Sequence, residues 1–157
     1  GIAMLGRSDK RRGFTLLELL IAMAIFAILG AISIPTFQSF LAQRRLNGAA
    51  RELHANLMAC RMQAVTENKW IAVNIDNNHQ YTIFRDENQN GTVDSGETLL
   101  VKDLHPSYYD VTIDTATSAS GVTFRPNGTG STASLYLTGT TGTKTITVTS
   151  NGRVKIN

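Results

Sequence analysis

No acidic side chain follows Asp114 in this chain of 157 residues, although Arg125, Lys144, Arg153 and Lys155 do. Cysteine is reduced to Cys60, so no intramolecular disulfide can form. Its place in a helical pattern reads as a small buried apolar side chain. Of the three prolines, two (Pro106 and Pro126) lie late in the chain, so only Pro35 interrupts the helical pattern that precedes them. Patterns of catalysis are missing as well. Ser, Thr and Asn crowd the region after Asp114, yet no Gly-x-Ser-x-Gly run and no acid–base pair accompanies them. The sequence therefore predicts a protein that is not an enzyme. His54, His79 and His105 fall on a helix and on two loop or strand positions without metal-ligand spacing, and read as ordinary surface or half-buried histidines.

Charge is scarcest from Phe14 to Phe37, where Glu18 is the only charged side chain. A charge at membrane depth costs roughly 2.5–3.5 kcal/mol on insertion scales, so such a residue calls for a function and a partner. No cation follows within helical reach, and Lys10, Arg11 and Arg12 lie on the other side of Gly13.

The net charge of +3 and the pI near 9.3 look at first like a nucleic-acid signal. Resolved by region, the signal weakens. Arg7, Lys10, Arg11 and Arg12 against Asp9 supply the whole excess, and the rest of the chain is neutral overall. Within that neutral part the acids gather between residues 68 and 114, leaving the C-terminal part basic.

What is present begins with an apolar run. From Phe14 to Phe37 it is long enough for a transmembrane helix, which needs about 20 residues. A cleaved secretory signal is the rival reading, with Ala31-Ile32-Ser33 as the small-residue site, but the helical pattern does not stop there. Basic residues ahead of the run place the N-terminus in the cytoplasm by the positive-inside rule. Beyond Pro35, residues Phe37, Leu41, Leu46, Ala50, Leu53, Leu57, Ala64 and Val65 recur near three- and four-residue spacing, with Arg44, Arg51, Glu52, Arg61 and Glu67 elsewhere. The pattern predicts one helix from about Phe14 to about Glu67, kinked near Pro35, with Gly48 its weak point.

From Trp70 the period changes to two. WIAVNI, HQYTIF, TLLVK, YDVTI, GVTFR, SLYLT, KTITVTS and RVKI are short runs rich in β-branched and aromatic residues. Asn77-Asn78 and Asn151-Gly152 are turn signals between neighbouring runs. The expected fold is α+β, one long helix whose amphipathic half covers the inner face of an antiparallel sheet. The expected organisation is a leader over 1–13, a membrane helix over 14–36, an amphipathic helix over 37–69 and a β domain over 70–157.

The head segment RRGFTLLELLIAMAIFAILGAISIP resembles the signal segment of type IV pilins and of type II secretion pseudopilins. Gly13, Phe14, Glu18 and Pro35 match the Gly before the cut, the Phe after it, the acid five residues into the mature chain and the kinking Pro. The downstream pattern is similar to the GspH/FimT group of minor pilins. The resemblance implies cleavage between Gly13 and Phe14 by prepilin peptidase and N-methylation of Phe14. A start at Met4 would give a leader of ten residues. It also implies that Glu18 pairs with the terminal ammonium of a neighbouring subunit, a partner that processing creates. Implied partners are other pilin or pseudopilin subunits, prepilin peptidase, the inner-membrane assembly platform and membrane lipid. The implied location is the bacterial inner membrane, crossed once with the β domain periplasmic, and then a pilus or pseudopilus. The resulting expectation is a minor pilin or pseudopilin that initiates or caps a filament.

Two further signals stay open. In the C-terminal NGRVK, Arg153 and Lys155 alternate with Val154 and so share one face, which suits either contact with DNA phosphates or a plain solvated strand. The alternative function is accordingly a pilus-tip module that contacts DNA during uptake. In DENQNGTVDSGE, residues Asp86, Asn88, Asn90, Gly91, Asp94 and Glu97 fit a calcium-loop pattern, with Thr92 offering its carbonyl. Calcium there competes with an ion-free hairpin tip.

Overall fold

The computed structural model describes Gly1 and residues 13–157. Contacts divide the chain into two compact units, residues 1–37 and 38–157, and one long helix, α1 (Leu16–Glu67), contributes to both.

In the first unit Thr15 caps α1. The Glu18 N–H donates to Thr15 Oγ1 at 3.1 Å, and the Leu19 N–H meets the Thr15 carbonyl at 3.1 Å. Ser33 and Thr36, polar among apolar residues, donate their hydroxyls to the carbonyls of Leu29 and Ile32, at 2.8 and 3.1 Å. Pro35 lies inside the helix and has no N–H to offer the carbonyl of Ala31.

Of the residues in the sequence pattern Phe37, Leu41 and Val65 are exposed, and in the second unit α1 buries Ala42, Leu46, Ala49, Ala50, Leu53, Leu57, Cys60 and Ala64. Half of these are alanine, which lets strands approach the helix closely. Gly48 is a point of such approach, since a methyl there would lie 2.9 Å from Tyr108 Cε1. The helix ends at Asn68, whose positive φ of 55° lets the Lys69 N–H reach back to the Ala64 carbonyl at 3.1 Å.

Eight strands follow: β1 (Ile71–Ile75), β2 (Gln80–Arg85), β3 (Thr98–Asp103), β4 (Thr112–Ile113), β5 (Gly121–Phe124), β6 (Ala133–Gly139), β7 (Gly142–Val148) and β8 (Val154–Ile156). The predicted single layer is two four-stranded antiparallel sheets, ordered β3-β2-β1-β5 and β4-β6-β7-β8. Alternation in each strand sends Ile71, Val73, Tyr81, Ile83, Val122, Phe124, Leu135, Leu137, Ile146 and Val148 into one core with the helix stripe. The YDVTI run yields only a two-residue strand. Its first half is taken by a turn in which the Tyr108 N–H meets the Leu104 carbonyl at 2.7 Å and the Val111 N–H meets the Tyr108 carbonyl at 3.0 Å.

Polar ties fasten helix to strands and loops. Arg45 holds Asp110 through two bonds, at 2.7 and 3.0 Å, and Asn56 Nδ2 donates to the buried Tyr81 hydroxyl at 2.7 Å. Lys102 pairs with Glu52 at 2.5 Å and Arg85 with Glu67 at 2.6 Å.

Candidate functional site

At the head of the helix, Gly13, Phe14 and Thr15 precede the first turn and all are exposed, Phe14 to 84%. The leader residues Met4, Arg7, Lys10, Arg11 and Arg12 lie outside the described residues. Glu18 stands in the first turn, where the partial positive charge of the helix end favours a carboxylate. Thr15 is the residue that the motif reading passed over. Thr15-x-x-Glu18 has the spacing of a capping box, and its first half, the Thr15 side chain on the Glu18 N–H, is formed.

Around Glu18 the surface is apolar. Leu16, Leu17, Leu19, Leu20, Ile21 and Met23 are each more than half exposed, and the most apolar 18-residue window of the helix, with a mean hydropathy of 2.5, has none of its residues buried. Among the described residues no cation pairs with Glu18. A continuous apolar surface of this kind is covered by lipid or by other protein.

The prokaryotic N-terminal methylation motif matches residues 8–34, and the family model for type II transport protein GspH matches residues 49–152. The chain belongs to the GspH family. Members are structural subunits of the minor pilin and pseudopilin kind. Pilin-like protein PilA1 of Thermus thermophilus is 29% identical over 157 residues, covering 93% of this chain and 98% of that one. Prepilin peptidase-dependent protein D of Escherichia coli is 53% identical over 38 residues, 24% of this chain and 26% of that one. The fold is shared with the crystal structure of the type IV minor pilin FimU of Pseudomonas aeruginosa, at a TM-score of 0.55 and 22% identity, over 75% of this chain and 92% of that one. The minor pseudopilin EpsH of the Vibrio cholerae type 2 secretion system gives 0.54 and 14%, over 72% and 96%.

Within the GspH-type domain the β7–β8 hairpin holds Arg153 and Lys155 exposed on either side of the buried Val154. A third basic residue reaches this hairpin from α1. Arg61 Nε donates to the Gly128 carbonyl at 2.9 Å and Nη2 to the Asn151 carbonyl at 3.4 Å. Lys69 is elsewhere, paired with Glu87 at 3.1 Å. Cys60 is buried, and burial pushes its thiol up to about 12, so it offers no nucleophile at neutral pH.

Between β2 and β3 the calcium-pattern residues do come together, and their oxygens are turned on the loop itself. Asp86 is buried, with Oδ1 accepting the Asn90 N–H at 3.0 Å and Oδ2 the Gly91 N–H at 2.9 Å. Glu97, also buried, accepts the Glu87 N–H at 3.0 Å and the Asp94 N–H at 3.1 Å. The side-chain oxygens of Asn88 and Asn90 accept the N–H groups of Asn90 and Thr92, at 3.2 and 2.8 Å, while both amide nitrogens donate to Asp94 Oδ2. These bonds fold the loop onto its own backbone amides.

Two of the histidines, the half-buried His79 and His105, are brought together beside Asp103 by β2–β3 pairing. Sequence spacing could not reveal this, since 24 positions separate His79 from Asp103 and only the strand register closes that gap. His54 does stand apart, with its Nε2 3.1 Å from the Val154 carbonyl.

Proposed function

We propose that this subunit primes or caps a pilus or pseudopilus after prepilin peptidase cuts between Gly13 and Phe14 and methylates the new amine. Glu18 carries the reading. It is a carboxylate without a cationic partner among the described residues, set in the first turn of an exposed apolar helix. Cleavage would create an ammonium on Phe14, and in a bundle of such helices the ammonium of one subunit meets the Glu18 of the next. An unpaired carboxylate in that low-dielectric setting is much worse than a paired one, so the pair selects the register. The apolar surface supports an inner-membrane anchor before assembly, with the GspH-type domain on the periplasmic side, and the pilin relatives support other pilin subunits and an inner-membrane assembly platform as partners. Co-expression with prepilin peptidase tests processing. Intact-mass measurement should show the loss of residues 1–13 and a methylated Phe14, whereas a mature N-terminus beyond Ser33 would establish a secretory signal. Glu18→Ala should insert as well as wild type and fail to enter filaments; normal assembly at neutral pH would exclude the pairing.

A second reading, contact with DNA phosphates at a pilus tip, is favoured by one observation, the convergence of Arg61 on the hairpin that presents Arg153 and Lys155. No aromatic side chain interleaves with these basic residues, which favours backbone contact over base stacking. Full-length protein in detergent should bind duplex DNA weakly and lose the binding as salt rises. Arg153→Ala with Lys155→Ala should remove most of it and Lys69→Ala should not. Equal loss from both would mean diffuse electrostatics without a site.

A further inference from the structure

His79 closes the β1–β2 turn and Asp103 ends β3, and the register sets Gln80 opposite Asp103. The fully buried Leu104 extends this pairing by one residue, its N–H donating to the His79 carbonyl at 2.7 Å. The chain then bends, and the His105 N–H returns to Asp103 Oδ1 at 2.9 Å. The same oxygen lies 2.9 Å from His79 Nδ1. The two imidazoles stack with centroids 4.1 Å apart and planes 16° from parallel. One ligand atom from each of His79, Asp103 and His105 lies within 4.8 Å of the others. His105 Nε2 is enclosed and has no hydrogen-bond partner among the described residues. An enclosed ring nitrogen left unpaired is uncommon and asks for a reason.

We propose that His79, Asp103 and His105 bind a divalent transition-metal ion, zinc foremost. Two imidazole nitrogens and one carboxylate oxygen form a donor set that suits zinc and its neighbours, while calcium and magnesium take oxygen alone. Three protein ligands leave a fourth tetrahedral position for water or for a group from another molecule. In a tetrahedral site with bonds of about 2.0–2.1 Å the ligand atoms stand roughly 3.4 Å apart, so the present spread closes by side-chain rotation. His79 and Asp103 have room for that, with side chains 30% and 41% exposed. The supporting contacts are already in place. Asn77 Oδ1 accepts the His79 N–H at 2.9 Å, and the Asn78 carbonyl accepts the Ile113 N–H at 2.6 Å, so the turn that carries His79 is anchored to β4. A bound ion clips the β1–β2 turn to the loop after β3. That loop carries Tyr108 against Gly48 and Asp110 against Arg45, so the clip reaches the packing of the loop on α1.

The site lies within the second unit and is tested without filaments. Full-length protein in detergent micelles is stripped with a chelator and titrated with zinc chloride, followed by calorimetry and thermal unfolding. We expect one zinc per chain and a higher melting temperature. His79→Gln, Asp103→Asn and His105→Gln should each weaken binding by at least about tenfold. His54→Gln, outside the cluster, should leave it unchanged. Asp103→Asn keeps an oxygen for the His105 N–H, so the bend persists, and circular dichroism in chelator should show each variant folded as wild type is. Absence of heat and of a thermal shift with excess zinc would overturn the site, as would full binding by the triple variant or equal loss in His54→Gln.

Discussion

Gly152 shows how one residue can be fixed by backbone conformation and by a neighbour at once. Its φ is +82°, a region that costs an L side chain roughly 1–2 kcal/mol. A methyl there would also overlap the Gly128 carbonyl oxygen and crowd Arg61 Nε at 2.8 Å, displacing the Arg61–Gly128 bond. Gly96 has a similar φ of +86° with open space around it. Gly152→Ala should therefore cost clearly more than Gly96→Ala, at least about 2 kcal/mol against about 1. Urea midpoints of the two variants in the same detergent measure the difference, and equal midpoints would show that the Gly128 contact is unimportant. Asn151-Gly152 was legible in the sequence as a turn. The reason that Gly152 cannot be replaced was not, because Gly128 and Arg61 are distant in sequence and meet only in the fold.

At the scale of the element, the β2–β3 connection is a loop whose buried acids serve its own backbone. Removing the Glu97 carboxylate strips two partly buried N–H groups, those of Glu87 and Asp94, of their acceptors. Glu97→Ala should destabilise the GspH-type domain by about 1–3 kcal/mol, and Glu97→Gln, which keeps one oxygen, by less. Millimolar calcium should leave the wild-type melting temperature unchanged, since the loop's amides already give these carboxylates partners. A rise that Glu97→Ala abolishes would instead establish calcium binding. The motif pattern named every residue that gathers here. It could not tell whether the oxygens face outward to an ion or inward to amides, because both arrangements use the same spacing.

For the whole molecule, the packing of loops on α1 depends on a few charged contacts that acid removes. The Arg45 hydrogen bonds hold the Asp110 carboxyl below its ordinary value, so the folded chain binds fewer protons there than the unfolded one. This contribution is complete above the unfolded value of about 3.9 and is lost as pH falls through the folded value below it. Arg85, followed by Gln63, lowers Glu67 in the same sense. Arg45→Met should lower stability at pH 7 and flatten its fall on acidification from about pH 5 to pH 2. Urea unfolding across that range measures both effects, and an unchanged acid slope would exclude the Arg45–Asp110 contact as a source of acid sensitivity.

The sequence by itself determined the long helix, its two kinds of surface, the positions of nearly every strand and the processing motif around Gly13, Phe14 and Glu18. These are local patterns, and periodicity, turn residues and a charge isolated in an apolar run express them within a few adjacent positions. Only the tertiary structure decided that the strands form two sheets, that Tyr108 packs against Gly48 and that His79 meets His105 beside Asp103. Each of those facts depends on which strand pairs with which and in what register. A register shift of one residue would turn His79 to the other face, and the same sequence pattern would then present no cluster at all.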